Sequence, residues 1–119
     1  MARRGRRPAH FVLSYVPSGV EPVTVGHLRF DGTIWSFEYD DAYKDRVDLR
    51  PIEGFDDVDR VYQSSALFPF FAVRVPDLDR SDVRQRLDED RIHDPELTDM
   101  LRLFGRRAIS SPAFELLPA

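Results

Sequence analysis

The sequence predicts a small α+β domain, in which a mostly antiparallel sheet of about five strands is followed by two to three short helices. Short runs of β-branched and aromatic residues, separated by turn residues, make the N-terminal half rich in predicted hairpins. Two helical patterns with start and stop residues occupy the C-terminal half. The 119 residues suffice for one domain, which buries about two-thirds of its unfolded surface.

Strands are predicted from runs with alternating or β-branched character. These runs cover residues 10–16, 23–30, 33–39, 47–49, 60–64 and, as an edge strand containing Pro112, 109–117. Asp31-Gly32 is the signal for a tight hairpin turn, because both positions tolerate positive φ. Trp35, Phe37 and Tyr39 alternate with other residues and therefore share one face of the sheet.

The Phe-rich stretch in the middle of the chain is the predicted centre of the core. Leu67, Phe68, Phe70 and Phe71 place four bulky apolar side chains within five positions, and the apolar run continues to Pro76. Burial of each such side chain contributes about 1.5–3 kcal/mol. We therefore expect this stretch to fix the core.

Two helices are predicted after this stretch. The first covers residues 80–88 and has Asp79 as its N-cap. The second has Asp94 as its N-cap, Pro95 at its first position and Gly105 just beyond its end. Both patterns place apolar residues at helical spacing, so each helix has one face that packs on the core.

Charge is unevenly distributed along the chain. Arg3, Arg4, Arg6 and Arg7 lie within the first eight residues, and without these four the chain has 13 basic and 21 acidic residues, a charge of about −8. We predict a basic, flexible tail over residues 1–9 and a single domain over 10–119. An acidic body repels polyanions, so direct nucleic-acid binding is not expected of the domain. The four arginines are the candidate nucleic-acid contact.

The sequence contains no cysteine and no apolar run of about 18 residues. The basic N-terminus lacks the apolar segment of a secretory signal. These observations predict a soluble, cytoplasmic protein without disulfides and without a membrane span.

No catalytic, cofactor-binding or metal-binding residues are predicted. His10, His27 and His93 are far apart in sequence, and none has a second ligand at metal-binding spacing. The pairs Asp40-Asp41 and Asp56-Asp57 lie in predicted turns, where aspartate is favoured for local hydrogen bonds. We therefore predict that the chain is not an enzyme. A small enzyme with a carboxylate site at Asp40 or Asp41 is the less favoured alternative.

Four short motifs occur in order along residues 25–118. The first motif is VGHL at 25–28 together with FEYD at 37–40, and the second is FFAVRVPD at 70–77, followed by Arg84 and Leu87. The third is DP at 94–95, followed by Leu101 and by FGR at 104–106. The fourth is SPAFELLP at 111–118. In order and spacing these motifs resemble the N-terminal subdomain of the HipA family of serine/threonine kinase toxins. The chain differs from the family pattern at three places. Arg74-Val75 replaces the usual pair of leucines, and Leu78 replaces a common glycine. Residues 110–112 stand where Gly-Ala is typical.

The resemblance implies a binding module of a bacterial toxin–antitoxin system. The kinase phosphate loop, catalytic aspartate and metal-binding aspartate of the family have no match in this chain. In split systems of this kind, a small protein equivalent to the subdomain binds a separately encoded, shortened kinase and holds it inactive, alongside a DNA-binding partner. The resemblance therefore implies an antitoxin or regulatory subunit whose partner is a HipA-like kinase chain.

Two further expectations concern contacts. Trp35, Tyr39, Phe68 and Phe71 are the candidate partner-binding anchors, because large aromatic side chains are enriched at interfaces, although the same side chains are equally compatible with core packing. The alternative function is a DNA-associated accessory protein, in which the tail arginines contact DNA beside a helix-turn-helix partner.

Overall fold

Five antiparallel strands form one sheet in the computed structural model, which describes residues 7–119. The strands are β1 (Ala9–Tyr15), β2 (Val23–Phe30), β3 (Trp35–Tyr39), β4 (Tyr62–Ser64) and β5 (Phe114–Pro118). Their order in the sheet is β4-β3-β2-β1-β5, so β4 and β5 are the edges. The four helices are α1 (Asp41–Lys44), α2 (Pro69–Ala72), α3 (Ser81–Glu89) and α4 (Leu97–Phe104). The predicted α+β fold class is confirmed.

Within residues 7–119, none of the helices has the length and apolar character needed to cross a bilayer.

One face of the sheet carries the core, with Phe37 of β3 near its centre. Trp35, Phe37 and Tyr39 are all buried on this face, as their alternation predicts. The Phe37 ring lies 4.6 Å from that of Phe55 and 5.6 Å from that of Phe71, measured between ring centroids. Aromatic pairs at such distances stabilise beyond their buried area. The core is therefore an aromatic cluster built on the central strands.

The Phe-rich stretch contributes to this core through a single helical turn. Phe71 is fully buried, whereas Leu67, Phe68 and Phe70 are half-buried and pack against the core. Pro69 stands at the first position of α2, where its missing N–H costs nothing. The stretch packs in the core as expected, but only one of its four large side chains is fully enclosed, and the centre of the core lies at Phe37 of β3 rather than in this stretch.

Two tyrosine hydroxyls attach residues 45–59, which we call the acidic segment, to the sheet and to α1. The Tyr39 hydroxyl donates to the Phe55 carbonyl at 2.6 Å and accepts from the Ile52 N–H at 2.9 Å. The Tyr43 hydroxyl donates to the Arg50 carbonyl. These bonds order the segment as turns, and the predicted strand at 47–49 is wrong. The apolar side chain of Val47, which suggested that strand, is fully exposed.

Tyr39→Phe is expected to lower the free energy of unfolding by about 1–3 kcal/mol, because it removes two hydrogen bonds and leaves the Ile52 N–H and the Phe55 carbonyl without this partner. Tyr15→Phe is the matched control, since Tyr15 is half-buried and its hydroxyl has no hydrogen-bond partner among residues 7–119. Urea denaturation of both variants measures the difference. Equal stability of the two would show that the Tyr39 hydroxyl does not hold the acidic segment.

The turn between β2 and β3 lies one residue later than predicted. The Asp31 N–H donates to the Ile34 carbonyl at 3.1 Å, which makes Gly32 and Thr33 the central residues. The Asp31 carboxylate accepts from the N–H groups of Thr33 and Ile34, and these bonds hold its pKa below the usual value. Gly32 takes a φ of 106°. Asp31 therefore serves as a side-chain acceptor rather than as a residue with positive φ.

The predicted N-caps of the two long helices are wrong. Helix α3 begins at Ser81 and has Arg80 at its N-cap position, so Asp79 does not cap it. Helix α4 has Glu96 at its N-cap position, two residues after Asp94, because Glu96 and Asp99 form a reciprocal capping box. The Glu96 N–H donates to the Asp99 carboxylate at 2.9 Å.

The last strand is an edge strand, as predicted, but it is shorter than the predicted run of 109–117. It covers Phe114–Pro118, and Pro112 lies in the turn before it.

Candidate functional site on the open face of the sheet

The second face of the sheet is not covered by the helices among residues 7–119, and we call it the open face. Direct cross-strand partners lie on the same side of a sheet, and Val12, His27 and Glu38 are such partners across three strands. The open face consists of His10, Val12, Ser14, Thr24, His27, Arg29, Ser36, Glu38, Gln63, Glu115 and Leu117. All of these except Glu115 are half-exposed or exposed. The alternation that buries the aromatic residues therefore presents a polar surface on the opposite side.

Two histidines and an aspartate form a hydrogen-bonded chain on the open face. His10 Nε2 lies 3.0 Å from His27 Nδ1, and His27 Nε2 lies 2.9 Å from Asp40 Oδ1. The other carboxylate oxygen of Asp40 accepts from the Ala42 N–H at 3.1 Å and so caps α1. The hydrogen bond from His27 holds the pKa of Asp40 below its usual value. Asp40 is therefore ionised at neutral pH.

The ionised Asp40 carboxylate fixes the positions of the hydrogens in this chain. A carboxylate only accepts hydrogen bonds, so His27 Nε2 carries a hydrogen and donates it. When His27 is neutral, its Nδ1 is an acceptor, and His10 Nε2–H donates to it. The remaining nitrogen of neutral His10, Nδ1, is then a free base.

The environment of His10 disfavours its protonated form. Burial lowers the pKa of His10, and the nearby positive charge of Arg29 and the His27 ring lower it further. Because the unfolded chain binds this proton more readily than the folded chain, protonation favours unfolding. The contribution of His10 to stability is therefore present above about pH 6.5 and is lost as the pH falls through the lowered pKa of the folded state.

His10→Gln is expected to weaken the decrease of unfolding free energy that accompanies a fall from pH 8 to pH 5, since it removes the group that titrates differently in the two states. Urea denaturation across this range, with His93→Gln as the control, measures the effect. His93 lies between α3 and α4, outside the histidine chain. A pH dependence that is the same in His10→Gln and in the parent protein would contradict this assignment.

Ion pairs flank the histidine chain. Arg29 Nη1 donates to Glu38 Oε1 at 2.7 Å. At the β5 side, Arg106 Nε and Arg107 Nη2 donate to the same Glu115 oxygen at 2.7 and 3.1 Å. The hydrogen bond from Arg106 lowers the pKa of Glu115 most, so this carboxylate is also ionised. Each of these three arginines thus contacts a carboxylate, although Arg106 and Arg107 share one.

Val12 and Leu117 are direct cross-strand partners at the middle of the open face. Leu117 is 39% exposed and Val12 is half-buried. A groove of about 460 Å³ lies at the hairpin end of the same face, along the row formed by His10, Arg29, Ser36 and Gln63. A small apolar centre within a polar surround is the usual arrangement of a protein-binding surface.

The chemistry that this site supports is proton binding and polar recognition. Among residues 7–119, neither His10 nor His27 hydrogen-bonds a serine or threonine hydroxyl that would act as a nucleophile. Over the same residues, no three histidine or carboxylate side chains are grouped so as to hold a metal ion.

The structure places the candidate anchors in or against the core. Trp35 and Tyr39 are 2% exposed and Phe71 is fully buried, whereas Phe68 is half-buried and packs on the Phe55 ring. The core alternative therefore describes Trp35, Tyr39 and Phe71, which are not available as exposed anchors in this conformation. Phe68 remains partly accessible. Of the tail arginines, Arg7 is exposed, whereas Arg3, Arg4 and Arg6 lie outside the described residues.

Sequence reasoning missed the histidine chain, because it treated His10 and His27 as isolated and Asp40 only as a turn residue. The contact between His27 and Asp40 could have been found from the β2–β3 hairpin, since pairing across this hairpin brings His27 near the end of β3. The contact with His10 depends on the register of β1 against β2. That register shifts opposite Leu13 and Ser14, where Val25 of β2 is an extra residue. The neighbouring Gly26, an isolated glycine in a strand pattern, is the sequence signal that could have indicated this bulge.

Comparison with family models, curated proteins and solved structures found no match for this chain in any of the three.

Proposed function

We propose that this chain is a non-catalytic, cytoplasmic binding module that docks on a separately encoded HipA-like kinase chain and regulates it as an antitoxin or regulatory subunit. The kinase as partner rests on the resemblance of the four motifs to the HipA N-terminal subdomain. The open face as docking surface rests on its geometry.

The observation that carries the docking surface is the uncovered side of the five-stranded sheet. The helices bury the opposite side through Phe71 and Leu101, whereas Val12 and Leu117 remain accessible between charged side chains. Interfaces concentrate their binding energy in a small apolar centre from which water is excluded, and the surrounding charges fix orientation. The open face has both parts.

The charge distribution of this face favours a protein over a polyanion as its partner. Arg29 contacts Glu38, and Arg106 and Arg107 both contact Glu115. Binding to nucleic acid requires arginine or lysine side chains that are free to neutralise phosphates. A partner protein with its own mixed charges is the better complement.

Affinity capture of the tagged full chain from the lysate of its own cells tests the identity of the partner. We expect a shortened HipA-like kinase to be recovered in near-equal amount, and we expect the purified kinase to be less active when this chain is added. Recovery of the chain alone, or of partners without a kinase, would contradict the proposed function. If the chain binds the kinase but leaves its activity unchanged, this chain is not an inhibitor, and the remaining role is that of a subunit that stabilises the kinase.

A further inference from the structure

We propose that His10 and His27 act as a single proton-binding site, which takes up one proton but not two and thereby switches the charge of the open face. The site belongs to the free chain and does not require the kinase of the proposed function. Its basis is the uninterrupted contact from His10 through His27 to Asp40.

The first proton enters without movement of the rings. In the neutral pair, one hydrogen lies between His10 Nε2 and His27 Nδ1, and His10 Nδ1 is a free base. A solvent proton bound at His10 Nδ1 allows the hydrogen on Nε2 to pass to His27 Nδ1. His10 is then neutral again, and the positive charge rests on His27, 2.9 Å from the Asp40 carboxylate.

A second proton is incompatible with the hydrogen bond between His10 and His27. It would have to bind His10 Nε2, which in the singly protonated pair is the acceptor of the hydrogen bond from His27. Two N–H groups would then face each other across 3.0 Å, and two imidazolium rings would repel each other. Uptake of a second proton therefore requires the rings to separate.

Neighbouring charges favour the singly protonated state. From β2, Arg29 lies opposite His10 and disfavours a charge there, whereas the Asp40 carboxylate lies 2.9 Å from His27 Nε2. Glu38 of β3 lies opposite His27 but forms an ion pair with Arg29. Lys44 of α1 acts on Asp40, and β5 contributes the uncharged Leu117 to this part of the face. The geometry therefore places the shared proton on the side of the pair that contacts the Asp40 carboxylate.

The consequence is a change in the net charge of the open face. Its ion pairs leave one excess positive charge, which Asp40 offsets, so the face is balanced while the histidine pair is neutral. Proton uptake adds one positive charge beside Val12, the direct cross-strand partner of His27. This added charge would change the affinity of a partner docked on the open face, a consequence that rests on the proposed function.

Nuclear magnetic resonance of the histidine ring nitrogens in the full chain, without a partner, tests the site between pH 5 and pH 8.5. We expect the signals of His10 and His27 to change together in one step, with a total uptake of one proton by the pair. Independent curves with two protons taken up would overturn the proposal. Because the protein is measured alone, this result is separate from any failure to find a kinase.

Asp40→Asn provides a second test that does not depend on removing either ring. Loss of the carboxylate is expected to lower the shared midpoint by about one pH unit or more, because an opposite charge at hydrogen-bond distance stabilises the protonated form. Asp41→Asn is the matched control, since Asp41 is exposed and contacts Lys44 rather than a histidine. An equal midpoint in both variants would overturn the role of Asp40.

Discussion

Phe37→Ala is expected to lower the free energy of unfolding by about 3–5 kcal/mol, the usual cost of truncating a buried phenylalanine. Phe37 is fully buried, and its ring contacts the rings of Tyr39, Phe55 and Phe71. Alanine would leave a cavity between β3, the acidic segment and α2, which the paired strands cannot close. A loss of this size is a large part of the 5–15 kcal/mol typical of a small domain.

Urea denaturation followed by the fluorescence of Trp35 measures this loss. Trp35 is the single tryptophan of the chain and is 2% exposed in the core, so its emission reports unfolding directly. Phe37→Leu is the control, because it keeps most of the volume and should cost much less. A loss below about 1 kcal/mol for Phe37→Ala would mean that Phe37 is not the centre of the core.

Gly26→Ala is expected to destabilise the protein by about 1–3 kcal/mol or more, through crowding rather than through a cavity. An ideal Cβ at Gly26 would lie 2.5 Å from the Glu38 carbonyl oxygen and 2.7 Å from Phe37 Cζ. Relief would require β2 and β3 to separate where Gly26 pairs with Tyr39. Alanine at an unstrained site would stabilise by about 0.4–1 kcal/mol, so even the sign of the effect is informative.

A double-mutant cycle separates the two contacts of this Cβ. Phe37→Leu removes the ring atom but not the Glu38 carbonyl, so Gly26→Ala should cost less in the Phe37→Leu background. Costs that add to within about 0.5 kcal/mol would show that the backbone contact alone determines the effect.

The strand pattern could be predicted because it is local. Alternation alone placed Trp35, Phe37 and Tyr39 on one face, and the Asp31-Gly32 signal located the β2–β3 hairpin to within one residue. The helix starts were less accessible, since aspartate is a preferred N-cap residue and glutamate is not, which favoured Asp94 over Glu96 in sequence. The reciprocal bonds between Glu96 and Asp99 decided between them.

The candidate site could not be predicted because it depends on long-range register. His10 meets His27 only because the bulge at Val25 of β2 sets the pairing of these strands, and the loop of residues 16–22 does not specify that pairing. Charge patterning also gave no indication that Arg74 would be 3% exposed.

Arg74 makes a second long-range contact that could not be predicted from the sequence. Its Nη2 donates to Ser111 Oγ at 3.0 Å, and its Nη1 lies 3.4 Å from the carbonyl oxygens of Gly105 and Arg106, near the negative end of α4. Burial lowers the pKa of this guanidinium. Arg74 and Ser111 both differ from the HipA-like pattern, and their side chains contact each other.

The central proposal is that the open face docks a HipA-like kinase chain, and the affinity of the purified pair tests it most directly. Val12→Glu/Leu117→Glu introduces two carboxylates at the apolar centre of the face, whereas Val47→Glu introduces one at a fully exposed turn residue and serves as the control. Retained Trp35 fluorescence establishes that each variant is folded. We predict that the double variant binds at least about 30-fold more weakly, the loss of about 2 kcal/mol that marks an interface hot spot, while the control binds unchanged. Equal affinity of the double variant and the parent chain would contradict docking through this face.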